Sequence, residues 1–81
     1  MMNTLRPTGQ AIARVHAYYA EKGANLKIDD IYVVWFCYIL GGWKSLVSTN
    51  EPDGMYYEVT YNVDKDETYF DAYKKVENRQ Y

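Results

Sequence analysis

From residue 31 onward, short apolar-rich segments alternate with turn signatures, and this rhythm constrains the fold more than any other feature of the chain. Residues 31–40 are rich in β-branched and aromatic side chains and run into Gly41-Gly42, a two-residue hairpin signal. Residues 43–49 form the return strand. Glu51-Pro52-Asp53-Gly54 suits a type I turn with glycine in the left-handed bulge position. Residues 55–62 alternate apolar and polar, 64–67 turn again, and 68–76 make a last strand. Four strands joined by such short turns can only be antiparallel neighbours, because a parallel connection needs a dozen or more residues.

Before the meander lies one helical segment, residues 8–22. Thr8 is placed to cap it and Gly23 to stop it. Ile12, Val15 and Tyr19 recur at helical spacing, with Ala11 and Tyr18 flanking them, while Arg14, Glu21 and Lys22 fall on the other side. Residues 28–30 have room for one further turn. The expected architecture is therefore α+β: residues 1–81 as a single domain, an N-terminal helix packed on a four-stranded antiparallel meander.

The turns also imply a register. A loop at Gly41-Gly42 sets Leu40 opposite Trp43 and Phe36 opposite Val47. With Gly54 as bulge, Glu51 faces Met55 and Val47 faces Val59; with Lys65-Asp66 as tip, Tyr61 faces Phe70 and Val59 faces Ala72. One face then gathers Val34, Phe36, Tyr38, Leu40, Trp43, Val47, Met55, Tyr57, Val59, Tyr61, Phe70 and Ala72, to be covered by Ile12, Val15 and Tyr19. The other gathers Val33, Trp35, Cys37, Ile39, Lys44, Leu46, Ser48, Tyr56, Glu58, Thr60, Tyr69, Asp71 and Tyr73. One helix cannot cover both faces, and this second set is too rich in rings for a face left bare in water. It is expected to meet a second copy, another protein or a ligand. The rival is that the N-terminal arm or the C-terminal tail folds over it.

Ten tyrosines in 81 residues favour such a role, since a phenol buries its ring while its hydroxyl stays bonded. Net charge is −2, and residues 51–71 carry Glu51, Asp53, Glu58, Asp64, Asp66, Glu67 and Asp71 against Lys65 alone. Phosphate-backbone binding needs clustered Lys and Arg, so no direct nucleic-acid binding is expected. The acidic segment reads as a solubilising rim before it reads as a phosphate mimic. Residues 1–7 lack the apolar core of a signal peptide. The longest apolar run is ten residues, half of the roughly twenty a membrane-spanning helix needs. A cytoplasmic protein without membrane contact is the expectation.

Catalytic constellations are not found. Cys37 and His16 are the only thiol and imidazole, and the register sends them to opposite sides of the sheet, Cys37 as a buried or half-buried thiol and His16 on the helix surface. Asp64-Lys65-Asp66-Glu67 lacks the glycine and the distal glutamate of a calcium loop. Asp29-Asp30 is a solvent-facing acidic pair, and one histidine with one cysteine cannot make a zinc site. Glu58 and Asp71 on adjacent strands are raw material for acid–base chemistry, but a rim network with Lys44 explains them without it. No cofactor is implied.

The stretches Tyr32-Val33-Val34-Trp35, Asp53-Gly54-Met55-Tyr56-Tyr57-Glu58, Thr60-Tyr61-Asn62 and Asp71-Ala72-Tyr73-Lys74-Lys75 resemble a family of short uncharacterised proteins of phages and prophages of Gram-positive bacteria. The resemblance spans residues 31 to about 78, with Val76 standing where a larger aromatic is expected. It implies an intracellular, phage-associated setting and supplies no catalytic residue. The helix-then-meander order also resembles the cystatin-like architecture, which does not by itself give a function.

These observations point first to a non-enzymatic binding protein, such as a phage accessory factor acting on a bacterial host protein. Trp35, Leu46, Tyr56, Tyr69 and Tyr73 would anchor the contact, with Lys44, Glu58 and Asp71 at its rim. The alternative is a nucleotide-like small ligand held by aromatic residues between two protomers of a homodimer. A minor enzyme of cystatin-like type ranks last.

Overall fold

A computed structural model describes residues 6–77, 79 and 80. The N-terminal arm, expected as one possible cover for the open face, falls largely on residues 1–5, which with 78 and 81 lie outside that range. The helix α1 spans Pro7–Glu21, and the strands are β1 (Ile31–Ile39), β2 (Gly42–Thr49), β3 (Met55–Asn62) and β4 (Glu67–Lys74). They form one antiparallel sheet in the order β1-β2-β3-β4. The α+β meander is as expected.

The cap lies two residues earlier than Thr8. Arg6 is the N-cap and makes no side-chain capping bond, while Pro7 opens the first turn. Proline suits that position because its missing N–H would have no partner there and its fixed φ is already helical. At the other end, Gly23 N–H donates to the carbonyl of Ala20 and Ala24 N–H to that of Tyr19, with Gly23 at φ 77°. This is the Schellman closure, and its left-handed residue is what the glycine permits. Ile28–Asp30 adds a single 3-10 turn before β1.

Ala11, Val15 and Tyr19 turn one helical stripe inward onto Ile31, Trp43, Val47, Tyr57 and Val59, with Leu26 closing the end. Each fully buried Val or Tyr ring here contributes about 1.5–3 kcal/mol of transfer free energy. Two ring groups flank this centre. Tyr57 stacks on Phe70 at 5.4 Å with Tyr18 and Tyr19 beside them, and Trp43 stacks on Tyr61 at 5.9 Å with Phe36 alongside. The tyrosine excess thus serves the core as well as the surface. Ser45 is buried in the same face, and its hydroxyl donates to the carbonyl of Trp35 at 3.3 Å, which removes the cost of burying it.

The first hairpin keeps a two-residue loop but one position earlier than expected, and the other two loops are longer than the turn signals imply. Each register is displaced by two residues. Tyr38, not Leu40, opposes Trp43; Val47 opposes Tyr57, not Val59; Val59 opposes Phe70, not Ala72. The first loop is Leu40-Gly41, with Gly41 at φ 84°. Gly42 belongs to β2 because a Cβ there would lie 1.8 Å from the carbonyl oxygen of Tyr61, so this glycine serves a close backbone approach. The third tip takes four residues, 63–66, with Asp66 at φ 48°. Because side chains alternate with period two, a displacement of two leaves every face assignment intact.

One exception arises in β1. A bulge between Val33 and Trp35 puts an extra residue in the strand, so everything before it changes face. Ile31 and Val33 pack inward, and Val34, expected in the core, is exposed. Ala72, also expected in the core, is exposed on the edge strand β4, and two further core expectations fail at the β1 corner. Leu40 occupies the hairpin tip in full solvent, and Tyr38, edge-on to Phe36, leaves 75% of its surface exposed. A 15-residue helix is about 22 Å long and cannot roof the whole sheet. The last strand ends at Lys74 rather than at residue 76: Lys75 N–H still reaches the carbonyl of Gly54, but β3 starts at Met55 and offers nothing further to pair with.

Candidate functional site

The face of the sheet turned away from α1 is built row by row from the register. Trp35, Leu46, Glu58 and Asp71 lie abreast across the four strands. Cys37, Lys44, Thr60 and Tyr69 form the next row toward the first hairpin, and Ser48, Tyr56 and Tyr73 form the row on the other side, with Tyr32 opposite Ser48. The eight residues singled out from the sequence therefore stand together on one face. They differ in accessibility: Trp35, Tyr69, Asp71 and Tyr73 are exposed, whereas Lys44, Leu46, Tyr56 and Glu58 are half-buried.

Lys44 Nζ approaches Glu58 Oε1 at 3.7 Å near the middle of the face. Both ends are partly wet, so the pair is worth no more than about 1 kcal/mol and leaves both charges able to re-pair with a partner. At the margin the Tyr69 hydroxyl donates to the Glu67 carboxylate, and that bond holds the phenol above its ordinary pKa. Cys37 is exposed, which corrects the expectation of a buried or half-buried thiol. An edge strand leaves the side chain at this row's end without a neighbour on its outer side. Cys37 and the helix-borne His16 occupy opposite sides of the sheet, so they form no nucleophile–base pair. Among the described residues, no three His, Cys, Asp or Glu side chains converge as metal ligands.

A second constellation escaped the sequence reading. The Tyr57 hydroxyl donates to the Tyr19 hydroxyl at 2.7 Å, and Tyr19 donates onward to Asp53 Oδ2 at 2.6 Å. Asp53 Oδ1 accepts the N–H of Met55 at 3.1 Å. Tyr57 is wholly buried and Tyr19 nearly so. Burial, and then the bond to Asp53, lifts the Tyr19 phenol above its ordinary pKa against the opposing effect of the bond from Tyr57; burial and then the bond with Tyr19 push that of Tyr57 far up. Both hydroxyls thus stay neutral, and the chain works as a strut from β3 through the last turn of α1 to the loop before β3. Its sequence signal was Asp53 itself, which reads locally as a turn residue and shows no distant partner.

The acidic segment resolves similarly. Asp53 accepts from Tyr19, Glu58 pairs with Lys44, Asp66 accepts from Tyr61, and Glu67 accepts from Tyr69. These carboxylates hold the molecule's own groups, which suits a structural rim better than an array free to imitate phosphates.

No helix among the described residues is long and apolar enough to cross a membrane. A model of a family of unknown function (DUF6275) matches residues 8–81, and the chain belongs to that family. No curated protein and no solved structure matches it.

Proposed function

We propose that this member of the DUF6275 family is a non-enzymatic binding protein whose helix-free sheet face docks a protein partner. One observation carries the reading: Trp35, Tyr69 and Tyr73 stand in solvent around a central Lys44–Glu58 pair on a face that α1 does not cover. Rings with a polar tip, held rigidly on strands, lose little entropy on docking and make effective anchors. Leu46 and Tyr56 form the half-buried floor between them, and Asp71 adds a charge at the rim. The resemblance to phage and prophage proteins supports a setting in the bacterial cytoplasm, with a host protein as the target that the factor modulates or inhibits.

The test is affinity capture from a lysate of the native bacterial host, using the tagged chain alongside Trp35→Ala and Tyr56→Ala. Both variants should keep the circular dichroism spectrum of the parent and lose the co-eluting protein. Retention of the same partner by both folded variants would place the contact elsewhere.

A further inference from the structure

Glu58, Glu67 and Asp71 stand on the helix-free face, and Lys44 is the ammonium set among them. Glu58 pairs with Lys44, and Glu67 accepts from the Tyr69 hydroxyl. Asp71 is left over: it is exposed and, among the described residues, has neither a hydrogen-bond nor an ion-pair partner. It also stands directly opposite Glu58 in the register, and like charges facing each other across two strands cost stability. Lys74, the nearest cation along β4, alternates onto the helix side opposite Met55 and does not answer it. Rings flank the spare carboxylate. Tyr69 and Tyr73 share the face with Asp71, one on each side, about 6.8 Å away along the strand, and both are exposed. Trp35 lies at the far end of Asp71's row, roughly 14 Å away across three strand spacings.

We propose that the occupant of this face is an arginine-bearing segment of the partner protein, with a guanidinium seated over Asp71 between Tyr69 and Tyr73. The inference rests on the reading that this face docks a protein, and it names the chemistry of that protein's contact. Charge complementarity selects a cation, because three carboxylates against one ammonium leave the face negative. The neighbours of Asp71 then select arginine over lysine. A guanidinium is planar, offers its fork of N–H donors to both oxygens of one carboxylate, and stacks on aromatic faces. An ammonium is a more strongly hydrated point charge with no fork to match. A guanidinium docked there also offsets the opposition of Asp71 and Glu58, so the partner relieves a cost that the free chain carries. An acidic surface or a phosphate meets repulsion at the same place.

The test titrates the purified chain at low salt with short blocked peptides of alternating Arg and Gly, Lys and Gly, or Glu and Gly. Tryptophan emission is the readout: Trp35 is exposed and Trp43 buried, so a change reports on this face. The arginine peptide should bind, the lysine peptide roughly threefold more weakly, and the glutamate peptide not at all. Asp71→Asn should keep the fold with a Tm no lower than the parent's, and should bind the arginine peptide roughly threefold more weakly. If Asp71→Asn fails to fold, Tyr73→Leu should show the same loss. Equal affinity for the lysine or glutamate peptide, no binding of the arginine peptide, or undiminished binding by the folded variant overturns the proposal. Where the lysate partner is still lost with Trp35→Ala and Tyr56→Ala, such a failure removes the arginine and leaves docking on this face standing. Retention of that partner by both variants removes the docking reading itself.

Discussion

Two substitutions that each delete one oxygen atom from the Tyr57–Tyr19–Asp53 chain should differ sharply in cost. Tyr57 only donates, to Tyr19; Tyr19 accepts that bond and donates to Asp53. Tyr57→Phe removes one neutral hydroxyl bond, worth about 1 kcal/mol net. Tyr19→Phe removes the same bond and a charge-assisted bond worth ~1.5–3 kcal/mol, and leaves the Tyr57 hydroxyl unpaired where no water reaches it, at ~1–3 kcal/mol. With some relaxation the expected loss is about 3–4 kcal/mol. The double variant removes the stranded hydroxyl too, so it should cost ~1 kcal/mol or more below the sum of the singles. For a chain of 81 residues each kcal/mol moves Tm by ~4–8 °C, so the two single variants should melt at least 8 °C apart. Urea unfolding followed by tryptophan fluorescence, with thermal melts by circular dichroism, reads all four proteins. Equal losses for the two singles, or strict additivity in the double, would refute the strut.

Alkaline pH supplies an independent check on the same pair. Both phenols are raised above the unfolded value near 10, so the unfolded chain releases protons first. Stability should be flat below about pH 10 and then fall by up to ~1.4 kcal/mol per pH unit for each phenol, measured as urea midpoints against pH; a rise there would reverse the sign of the argument. Two glycines should separate steric from backbone cost: Gly23→Ala meets nothing within 4 Å and should lose ~1–2 kcal/mol from its positive φ alone. Gly42→Ala, with its Cβ 1.8 Å from the Tyr61 oxygen, should lose more than ~3 kcal/mol, and equal melts would contradict this. Cys37 should react completely with a thiol reagent in dilute native protein, since it is exposed. Labelling that requires denaturant even at high dilution would contradict its placement.

The turn chemistry and the alternation in 43–49, 55–62 and 68–74 were enough to order the strands and sort their faces. Even a two-residue error in each register left Trp43, Val47, Tyr57 and Val59 inside and Lys44, Glu58, Asp71 and Tyr73 together on the other side. The first strand resisted the same treatment. Ile31-Tyr32-Val33-Val34-Trp35-Phe36 is apolar at every position, so no polar residue marks which way a side chain faces or where an extra one is inserted. Gly42 misled for a related reason: a glycine needed for a turn and one needed for a close backbone approach are the same letter.

Local patterning alone therefore determined an α+β chain with a helix, a meander and two unlike faces, because alternation and turn propensity act over a few residues and survive small shifts. Only the tertiary structure decided the bulge at Val34, the exposure of Cys37, Tyr38 and Leu40, and the link from Tyr57 through Tyr19 to Asp53. Each of these depends on which distant residue arrives opposite, across 34 and 38 positions for the two links of the strut. Such encounters are set by packing the whole chain at once, and no local stretch of sequence encodes them.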